Sequence, residues 1–498
     1  MTVHLSPASF VNKPIAFGTD GWRGIIAADF TFERVMDVAP RAALALEQAY
    51  GNPTGNQTDN QTGNRLMIVG YDRRFLSPEF ALAAAESLQA AGFDVMLSEC
   101  FAPTPAFSWA AKQFNALGAI VITASHNPAA YSGLKVKGGF GGSVSPEITQ
   151  TIEALLSQPL PPAATRGILQ SFNPWTSYCE GLQAKVDVSR LQRAIASGKL
   201  TVFADVMHGA AAGGLEQLLG IPIRELNGDA DPTFGGGAPE PLPRYLPDLL
   251  HQIKTYKRKS ADELVVGLVF DGDSDRIAAV DGQGTFLSSQ VLIPILIQHL
   301  SNHRGFTGEI VKTISGSNLI PLVAKLFDLS VHETPIGYKY IADRMLESAV
   351  FLGGEESGGI GYGNHIPERD ALLSALYVLE AVVGADMDLS DQYADLQART
   401  NFTSDYDRID LPLASMAVRS RLLNELQTQP PTEIGGQAVI SYIDIDGYKF
   451  QLADQSWLLI RFSGTEPVLR LYSEAANAER VQQNLAWAKD WANSVAAG

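Results

Sequence analysis

Short apolar segments that end in turn-forming residues recur along this chain, and helical patterns separate them. The first segment, 66–71, leads into the polar turn 72–74 and then into a helix opened by Ser77 and Pro78. Strands at 94–99 and 118–122 alternate with a helix at 104–115. Because strands that alternate with helices form mainly parallel sheets, the pattern predicts an α/β fold whose ligands gather at the carboxyl ends of the strands.

The length of 498 residues is too great for one hydrophobic core, so we expect several domains of roughly 100–150 residues each. The formal charge of −17 argues against a nucleic-acid binder, which needs a basic face. It leaves room for an anionic small molecule, because a few converging arginines and lysines can make one cleft positive. The only cysteines, Cys100 and Cys179, form no CxxC pair, which favours a reducing compartment over a disulfide framework.

The N-terminal segment lacks the basic and apolar regions of a signal peptide. No apolar run approaches the roughly 18 residues that are needed to span a bilayer. The sequence therefore predicts a cytoplasmic enzyme or binding protein that does not associate with membranes.

A serine lies where the predicted strand 118–122 meets a turn. Asn127 and Pro128 make the chain turn directly after Ser125, so we expect this serine to be exposed and rigidly held. His126 is not expected to act as its base, because neighbouring residues of an extended segment point to opposite sides. Taken alone, the segment is more typical of a polar strand-to-turn transition.

Three carboxylates follow the apolar strand 264–270 at alternate positions, namely Asp271, Asp273 and Asp275. Crowding them together is costly unless a cation neutralises them, and hard oxygen ligands in a short loop suit Mg²⁺. An EF-hand loop also starts Asp-x-Asp-x-Asp, but here the glycine position differs, a strand replaces the helix, and no glutamate stands at the twelfth position. The sequence therefore predicts a magnesium site with open positions for a phosphate oxygen.

Two basic residues lie in glycine-containing segments of the N-terminal third. Arg23 stands among three glycines and can grip a phosphate with two parallel hydrogen bonds, although a glycine turn with a surface arginine is the simpler explanation. Lys135 is expected in a mobile loop at 133–139. Both lysine and arginine would favour an anionic ligand.

Two further loops combine polar groups with glycine. Glu355, Glu356 and Ser357 lie between glycines and can bind neighbouring sugar hydroxyls, with a charged turn as the alternative. Segment 461–467 predicts a phosphate cradle, because its guanidinium, hydroxyl and backbone groups lie within five residues. The cradle consists of Arg461, Ser463, Gly464 and Thr465, with Arg470 on the next strand.

These segments, FGTDGWRG, TASHNP, DGDSDR, GEESGG and RFSGTEP, occur in an order that resembles the alpha-D-phosphohexomutase superfamily, the phosphoglucomutases and phosphomannomutases, over essentially the whole chain. The resemblance implies four domains around a central cleft: three similar αβ units with mixed, mainly parallel sheets, and a smaller C-terminal α+β domain. We place these domains at 1–165, 166–287, 288–400 and 401–498, and interpret 393–407 as the linker into the last one.

The resemblance also implies residue roles. Ser125 would be the phosphoserine and would hold Mg²⁺ together with Asp271, Asp273 and Asp275. Charge near the transferred phosphoryl group would be stabilised by Arg23, His126, Lys135 and Arg276. The implied substrate-binding residues are Thr334, Gly337, Lys339, Glu355, Ser357, His365, Arg369, Arg461, Ser463, Gly464, Thr465 and Arg470.

The implied activity is interconversion of glucose 1-phosphate and glucose 6-phosphate, with glucose 1,6-bisphosphate as intermediate and activator, by a monomer or weak homodimer. Glu355-Glu356-Ser357 with the later His365 is similar to the glucomutase pattern, although Ala371 replaces a usual glycine. Some bacterial relatives have Gln or Met at position 356 and a histidine near Gly359. Since O3 and O4 are oriented alike in glucose and mannose, a dual-specificity phosphomannomutase stays open.

Three other activities share some of these features. A glucose 1,6-bisphosphate synthase that uses fructose 1,6-bisphosphate as donor would share the whole site. A non-catalytic phosphosugar sensor would not need Ser125 together with three aspartates, so their joint presence disfavours it. A phosphatase is disfavoured because the sugar and phosphate loops suggest domain closure that excludes water.

Overall fold

The computed structural model describes residues 13–18, 20–51, 65–463 and 467–497. Four sheets follow one another along the chain, and the α/β, four-domain architecture predicted from the sequence is confirmed. Within the described residues, no helix is both long and apolar enough to cross a bilayer.

The first sheet has seven strands in the order β1-β2-β6-β5-β3-β4-β7. Pairing is parallel from β5 through β3 and β4 to β7, and antiparallel from β1 to β5. Its strands are β1 (Phe17–Gly18), β2 (Gly21–Ile25), β3 (Leu66–Tyr71), β4 (Asp94–Ser98), β5 (Gly118–Ile122), β6 (Tyr131–Gly138) and β7 (Leu169–Phe172). Strand β7 thus joins this sheet although it follows position 165.

Helices cover both faces of this sheet, and local signals explain where they begin. The Thr31 hydroxyl accepts a hydrogen bond from the amide of Arg34 and caps α1, while α2, α3 and α4 each carry a proline in the first turn, where no amide hydrogen is needed. Their ranges are α1 (Phe32–Tyr50), α2 (Ser77–Ala90), α3 (Thr104–Gln113) and α4 (Pro146–Leu155).

The expectation of a mobile loop at 133–139 is wrong. These residues belong almost entirely to strand β6, which pairs with β2 on one side and β5 on the other. Glycines at 133 and 138 are more typical of a loop than of a strand, which explains the wrong prediction. Lys135 and Lys137 are both buried within the strand. Two lysines buried inside a sheet require carboxylate partners. Asp20, Asp273, Asp275 and Glu368 are these partners.

The second sheet has the order β12-β11-β10-β8-β9, with β10, β8 and β9 parallel. Strand β10 is apolar on both faces, as expected for a strand covered by helices. The elements are α5 (Pro174–Gln183), α6 (Val188–Ala196), β8 (Leu200–Asp205), α7 (Gly214–Leu219), β9 (Arg224–Leu226), α8 (Pro247–Lys257), β10 (Leu264–Phe270), β11 (Ile277–Val280) and β12 (Phe286–Leu287).

The third sheet has the order β14-β13-β15-β16, in which only β15 and β16 pair antiparallel. Helix α12 is apolar around its whole circumference and is buried against α9, α6 and β10. The elements are α9 (Ser289–Arg304), β13 (Glu309–Thr313), α10 (Leu319–Lys325), β14 (Val331–Thr334), α11 (Tyr338–Glu347), β15 (Val350–Gly354), β16 (Ile360–Tyr362), α12 (Ala371–Ala385) and α13 (Leu389–Thr400).

The fourth sheet is antiparallel throughout, in the order β17-β22-β21-β20-β19-β18. The segment 393–407 is not an irregular linker, because α13 continues to Thr400 and β17 begins at Asp405. The elements are β17 (Asp405–Pro412), α14 (Met416–Thr428), β18 (Glu433–Ile434), β19 (Gln437–Ile443), β20 (Tyr448–Leu452), β21 (Trp457–Phe462), β22 (Val468–Ala475) and α15 (Ala478–Ala497).

Candidate active site

Ser125 lies in the loop between β5 and β6, where its backbone adopts the left-handed conformation with φ +53°. For a residue with a Cβ atom this costs roughly 1–2 kcal/mol. Its hydroxyl donates to Asp271 Oδ2 at 2.9 Å and lies 3.2 Å from Nδ1 of His126. The expectation that this serine is exposed is therefore wrong, since it is 1% exposed. His126 also does not point away from it as expected, because the segment is not extended.

The three aspartates lie in the loop after β10 and are completely buried. One carboxylate oxygen from each lies within 4.8 Å of the others. Burial and the neighbouring charges of Asp273 and Asp275 raise the pKa of Asp271 well above its usual value. Burial alone would also raise the pKa of Asp273, but Lys135 and a hydrogen bond from Thr104 hold it below its ordinary value.

The donor set fits a hard divalent cation. Asp273 Oδ1 and Asp275 Oδ1 are buried without a hydrogen-bond partner among the residues that the structure describes. Buried carboxylate oxygens are normally paired, and buried carboxylates with unpaired oxygens are ligands of the kind that Mg²⁺ prefers. The loop can therefore hold a magnesium ion through residues brought together by sequence spacing alone.

Lys135 reaches the aspartates from strand β6 of the first sheet. Its Nζ lies 2.7 Å from Asp20 Oδ2, and 2.8 Å from both Asp273 Oδ2 and Asp275 Oδ2. Burial opposes the charge, yet these three carboxylates raise the pKa of Lys135 above its ordinary value. The side chain is therefore a fixed ammonium within the cluster.

Arg369 enters the same cluster from the third domain. Its Nη2 donates to Asp20 Oδ2 at 2.5 Å and to Asp275 Oδ2 at 2.7 Å. Lys137, which lies on the same strand as Lys135, bonds Glu368 Oε2 at 2.5 Å. Residues from the first, second and third domains thus share one buried ionic network.

Two arginines flank the serine loop. Arg23 Nη1 donates to Asn127 Oδ1 at 2.7 Å, and burial lowers the pKa of its guanidinium. Arg276 Nε lies 3.9 Å from Asp275 Oδ1 and 4.0 Å from Asp271 Oδ2. Burial, together with Arg276 and Arg23, lowers the pKa of His126 well below its usual value, so its imidazole is neutral at physiological pH.

The Glu355 loop connects β15 to β16. Glu355 Oε1 accepts a hydrogen bond from the amide of Gly337 at 3.1 Å, and Oε2 lies 3.6 Å from Arg369 Nη1. Burial raises the pKa of Glu355 to about 7, although Arg369 opposes the shift. Ser357 is half-buried in the same loop, while Glu356 turns away and accepts from the Ser315 hydroxyl at 2.6 Å.

Two other predicted substrate-binding residues of the third domain, Thr334 and Lys339, lie away from the aspartate cluster. Thr334 is buried at the end of β14, where its hydroxyl donates to the carbonyl of Pro335. Lys339 is half-buried, with its Nζ 4.8 Å from the centroid of the Tyr340 ring. Neither contacts the aspartates directly.

His365 does not fit the predicted role of substrate ligand. Its side chain is fully buried and its Nε2 lies 2.9 Å from Asp370 Oδ2. The ring also stacks on Trp109, with centroids 5.1 Å apart. His365 therefore joins the first and third domains, and sequence spacing could not distinguish this role from sugar contact.

The predicted phosphate loop lies between β21 and β22 of the fourth sheet. Arg461 Nε donates to Asp446 Oδ2 at 2.9 Å, and Arg461 faces Arg470 across the strand pair. Ser463 is buried. Gly464 and Thr465 lie outside the described residues.

Sequence reasoning missed five residues of this network. Asp20 and Thr104 contact predicted residues directly, Lys137 pairs with Asp20 and Glu368, and Arg74 binds the serine loop. Asp20 could have been noticed because it lies in the same glycine-rich segment as Arg23. The other four carry no local signal, since their partners are between 51 and 231 positions away.

Four family models match the chain in order. They are the phosphoglucomutase/phosphomannomutase alpha/beta/alpha domains I, II and III, over residues 14–160, 176–284 and 288–400, and the phosphoglucomutase/phosphomannomutase C-terminal domain over residues 421–486. Together these models cover most of the chain.

Individual relatives match over nearly their full length. The chain is 28% identical to a phosphoglucomutase/phosphomannomutase of Thermococcus kodakarensis, with 94% of this chain and 96% of the relative covered. It is equally identical, at 28%, to a phosphoglucosamine mutase of Moorella thermoacetica over 94% and 97%. A crystal structure assigned as a phosphomannomutase of Thermus thermophilus superposes with a TM-score of 0.81 at 31% identity, covering 97% of this chain and 100% of that one.

Proposed function

Because this chain belongs to the phosphoglucomutase/phosphomannomutase family, we propose that it interconverts glucose 1-phosphate and glucose 6-phosphate through phosphorylated Ser125. Members of the phosphohexomutase superfamily are phosphotransferase mutases. The observation that carries the proposal is the Ser125 hydroxyl, which lies 2.9 Å from Asp271 Oδ2 in a cluster of buried carboxylates and cations.

Phosphorylated Ser125 would transfer its phosphoryl group to the free hydroxyl of a hexose monophosphate and so form glucose 1,6-bisphosphate. The bisphosphate would then reverse its orientation in the cleft, and its other phosphoryl group would be transferred back to Ser125. Phosphoryl transfer passes through a loose transition state, so position and charge supply most of the catalysis. The Nδ1 atom of neutral His126 lies 3.2 Å from the serine oxygen, which is within hydrogen-bond distance.

Asp271, Asp273 and Asp275, together with an oxygen on Ser125, would hold Mg²⁺, and the ion would neutralise charge on the phosphoryl oxygens when bound. Lys135 is held among carboxylates and keeps their charge balanced. Arg23 and Arg276 lie beside the serine loop and would attract the phosphoryl oxygens.

The sugar and the non-reacting phosphate would bind further along the cleft. Glu355 and Ser357 would contact O3 and O4 in both orientations of the ring. The non-reacting phosphate would bind Arg461, Ser463, Gly464, Thr465 and Arg470, with Thr334, Gly337, Lys339 and Arg369 nearby. Arg369 already contacts the carboxylate network, so it would link the sugar to the reacting centre.

Glucosamine phosphate is a second candidate substrate, because several full-length relatives are named phosphoglucosamine mutase. Glucose remains our proposal because of the Glu355-Glu356-Ser357 sequence. Mannose phosphates stay open as well, since the contacts to O3 and O4 do not distinguish the two sugars.

The test is ³¹P NMR of the purified protein with Mg²⁺ and catalytic glucose 1,6-bisphosphate, run separately on glucose, mannose and glucosamine 1-phosphates. Fastest conversion of glucose 1-phosphate supports the proposal, and fastest conversion of another sugar reassigns the substrate. A further sample contains glucose 1-phosphate and stoichiometric fructose 1,6-bisphosphate. Net accumulation of glucose 1,6-bisphosphate there, with poor isomerisation, would identify a bisphosphate synthase instead.

Ser125→Ala provides the sharpest check on the mechanism. Without the hydroxyl no phosphoserine can form, so turnover should fall to the background of the assay. Intact-mass measurement after incubation with glucose 1,6-bisphosphate should show one phosphoryl group on the wild type and none on the variant. Full mutase activity of Ser125→Ala would rule out the assignment.

A further inference from the structure

Arg74 follows β3 and is 2% exposed. Its guanidinium donates to four backbone carbonyls between Ser125 and Tyr131, the first residue of β6. Nη2 bonds the carbonyl oxygens of Ser125 at 2.5 Å and Asn127 at 2.6 Å, and Nη1 bonds those of Pro128 at 3.1 Å and Tyr131 at 3.0 Å. One side chain thus satisfies carbonyls along the whole turn between β5 and β6.

The Ser125 carbonyl needs a partner because buried backbone acceptors are costly when unpaired, whereas Asn127 and Tyr131 are half-buried and Pro128 is exposed. The loop cannot pair the Ser125 carbonyl in a sheet, since the left-handed conformation of this residue interrupts the strand. A planar guanidinium presents several donors in a fixed fork, whereas a lysine ammonium presents its donors from one nitrogen. Arginine at position 74 therefore fixes the curvature of the loop in a way that lysine cannot.

Arg74 is itself held from two sides. Its Nε lies 3.3 Å from Asp72 Oδ2, and Asp72 Oδ1 accepts hydrogen bonds from the Ser77 hydroxyl and the Arg74 amide. On the other side, its guanidinium carbon lies 4.8 Å from the centroid of the Phe234 ring, which comes from the second domain. The guanidinium therefore has little freedom to follow the serine loop if that loop moves.

We propose that Arg74 is a positioning residue, which holds the strained Ser125 turn so that the serine oxygen stays aligned with Asp271 and His126. The inference deepens the proposed function, on which it rests. Arg74 contacts the loop backbone and not the reacting atoms, so it acts through Ser125.

Arg74→Lys keeps the positive charge but removes the hydrogen bonds that the two guanidinium nitrogens Nη1 and Nη2 donate to the loop carbonyls. Misplacement of a reacting group by about 1 Å can cost 100-fold in rate, so we expect kcat to fall about 100-fold. KM for the hexose phosphate should change less than about threefold, because the proposed sugar and phosphate contacts lie in the third and fourth domains. A loss confined to kcat separates positioning from general destabilisation.

Arg41 supplies the matched control. It is 6% exposed in the same domain, and it donates to the carbonyls of Leu155 and Gln158, both at 2.7 Å, far from the serine loop in sequence. Arg41→Lys removes the same kind of bond, and we expect kcat within about twofold of the wild type. Equal losses of kcat in both variants would overturn the inference.

Hydrogen–deuterium exchange gives a readout that does not depend on any mutase activity. Amides of 123–131 should exchange faster in Arg74→Lys than in the wild type and should be unchanged in Arg41→Lys. If the wild type proves inactive on hexose phosphates, the proposed function fails while this comparison still tests the loop. Unchanged exchange in Arg74→Lys, with an active wild type, overturns the role of Arg74 alone.

Arg74→Ala covers the case in which the lysine variant does not fold. Its kcat should rise when guanidinium chloride is added below denaturing concentrations, and should not rise with sodium chloride at equal ionic strength. Absence of rescue in a folded Arg74→Ala protein contradicts the proposal. If neither variant folds while Arg41→Lys does, Arg74 serves the stability of the whole domain and the proposal is wrong.

Discussion

Glu355 shows how burial adjusts a single side chain of the site. Its carboxylate lies between the Gly337 amide and Arg369, and burial brings its pKa to about 7. A carboxylate must be ionised to accept hydrogen bonds from sugar hydroxyls with full strength. The protonation of this residue therefore changes over the physiological pH range.

From this shift we predict a pH-dependent effect of Glu355→Gln. Ionisation of Glu355 rises from about one-tenth at pH 6 to about nine-tenths at pH 8, so the wild type gains its acceptor as pH rises. The ratio of variant to wild-type kcat/KM should fall across this range by at least threefold. Taking the ratio cancels titration of the substrate phosphate.

Glu347 is an exposed residue of α11 and serves as the control, because Glu347→Gln should give a ratio near one at every pH. A ratio for Glu355→Gln that stays constant between pH 6 and 8 would show that its ionisation does not matter to turnover.

Two strands, β5 and β10, bring the serine and aspartate loops together at their carboxyl ends. The contact is close because Gly272 has no side chain. A Cβ atom placed there would lie 2.5 Å from the carbonyl oxygen of Ser125 and 2.9 Å from Cγ of Pro239. The separation of these two elements is therefore set by backbone contact, which allows the 2.9 Å bond between Ser125 and Asp271.

We expect Gly272→Ala to push the two loops apart. The added methyl group meets backbone on one side, so the loops must shift by several tenths of an ångström, and kcat should fall at least tenfold. Steady-state kinetics and the thermal midpoint Tm are the measurements.

Gly384→Ala is the control, since its Cβ would meet no described atom closer than 3.8 Å and alanine favours a helix interior by about 0.5–1 kcal/mol. It should retain kcat with an equal or higher Tm. Normal kcat in Gly272→Ala would mean that the loops tolerate separation.

At the scale of the whole molecule, buried polar side chains join the domains. Thr104 of the first domain donates to Asp273 of the second at 2.6 Å. Glu474 of the fourth domain accepts from the amide of Asn318 in the third at 2.8 Å. Lys449 of the fourth domain and Lys312 of the third share Glu333, at 3.4 and 3.1 Å. Two lysine side chains thus share one carboxylate at this interface.

Burial and the charge of Lys312 lower the pKa of Lys449 to about 7, although Glu333 and Glu474 oppose the shift. Between pH 7 and the ordinary lysine value the unfolded chain binds more protons than the folded chain, so stability rises with pH. From pH 7 to 9.5 the gain should be about 2–3 kcal/mol. Lys449→Met should lose this gain.

The comparison is made by urea unfolding of the wild type and of Lys449→Met at both pH values. Lys325 is an exposed residue of α10, and Lys325→Met should follow the wild type at both. A difference between wild type and Lys449→Met that does not change with pH would contradict the prediction.

Local patterns predicted a large part of the molecule. The alternation of apolar strands and helices led to the α/β fold, and the strands at 118–122 and 264–270 lie as expected. The aspartate cluster could also be anticipated, since Asp271, Asp273 and Asp275 are neighbours in one short loop. Periodicity and spacing report on contacts between residues that are close in sequence, so these features need no knowledge of packing.

Other features depended on which distant segments meet. Lys135 was expected in a mobile loop, but strands β2 and β5 enclose it in a sheet. Ser125 was expected to be exposed, but its burial depends on how the second domain covers the turn, with Gly272 against its carbonyl. His365 was expected to bind substrate, but it stacks on a tryptophan 256 positions earlier in the chain.

The sequence by itself determined the αβ units, the loop of three aspartates and the family. Each of these features depends on residues that lie only a few positions apart in the chain. Only the tertiary structure decided the partners of those residues. The ionic network of Asp20, Lys135 and Arg369 spans 349 positions, and Arg74 reaches the serine loop over 51. The local sequence around a charged group or a hydrogen-bond donor does not identify a distant partner. Strand register and domain packing select that partner, because they bury the two groups together.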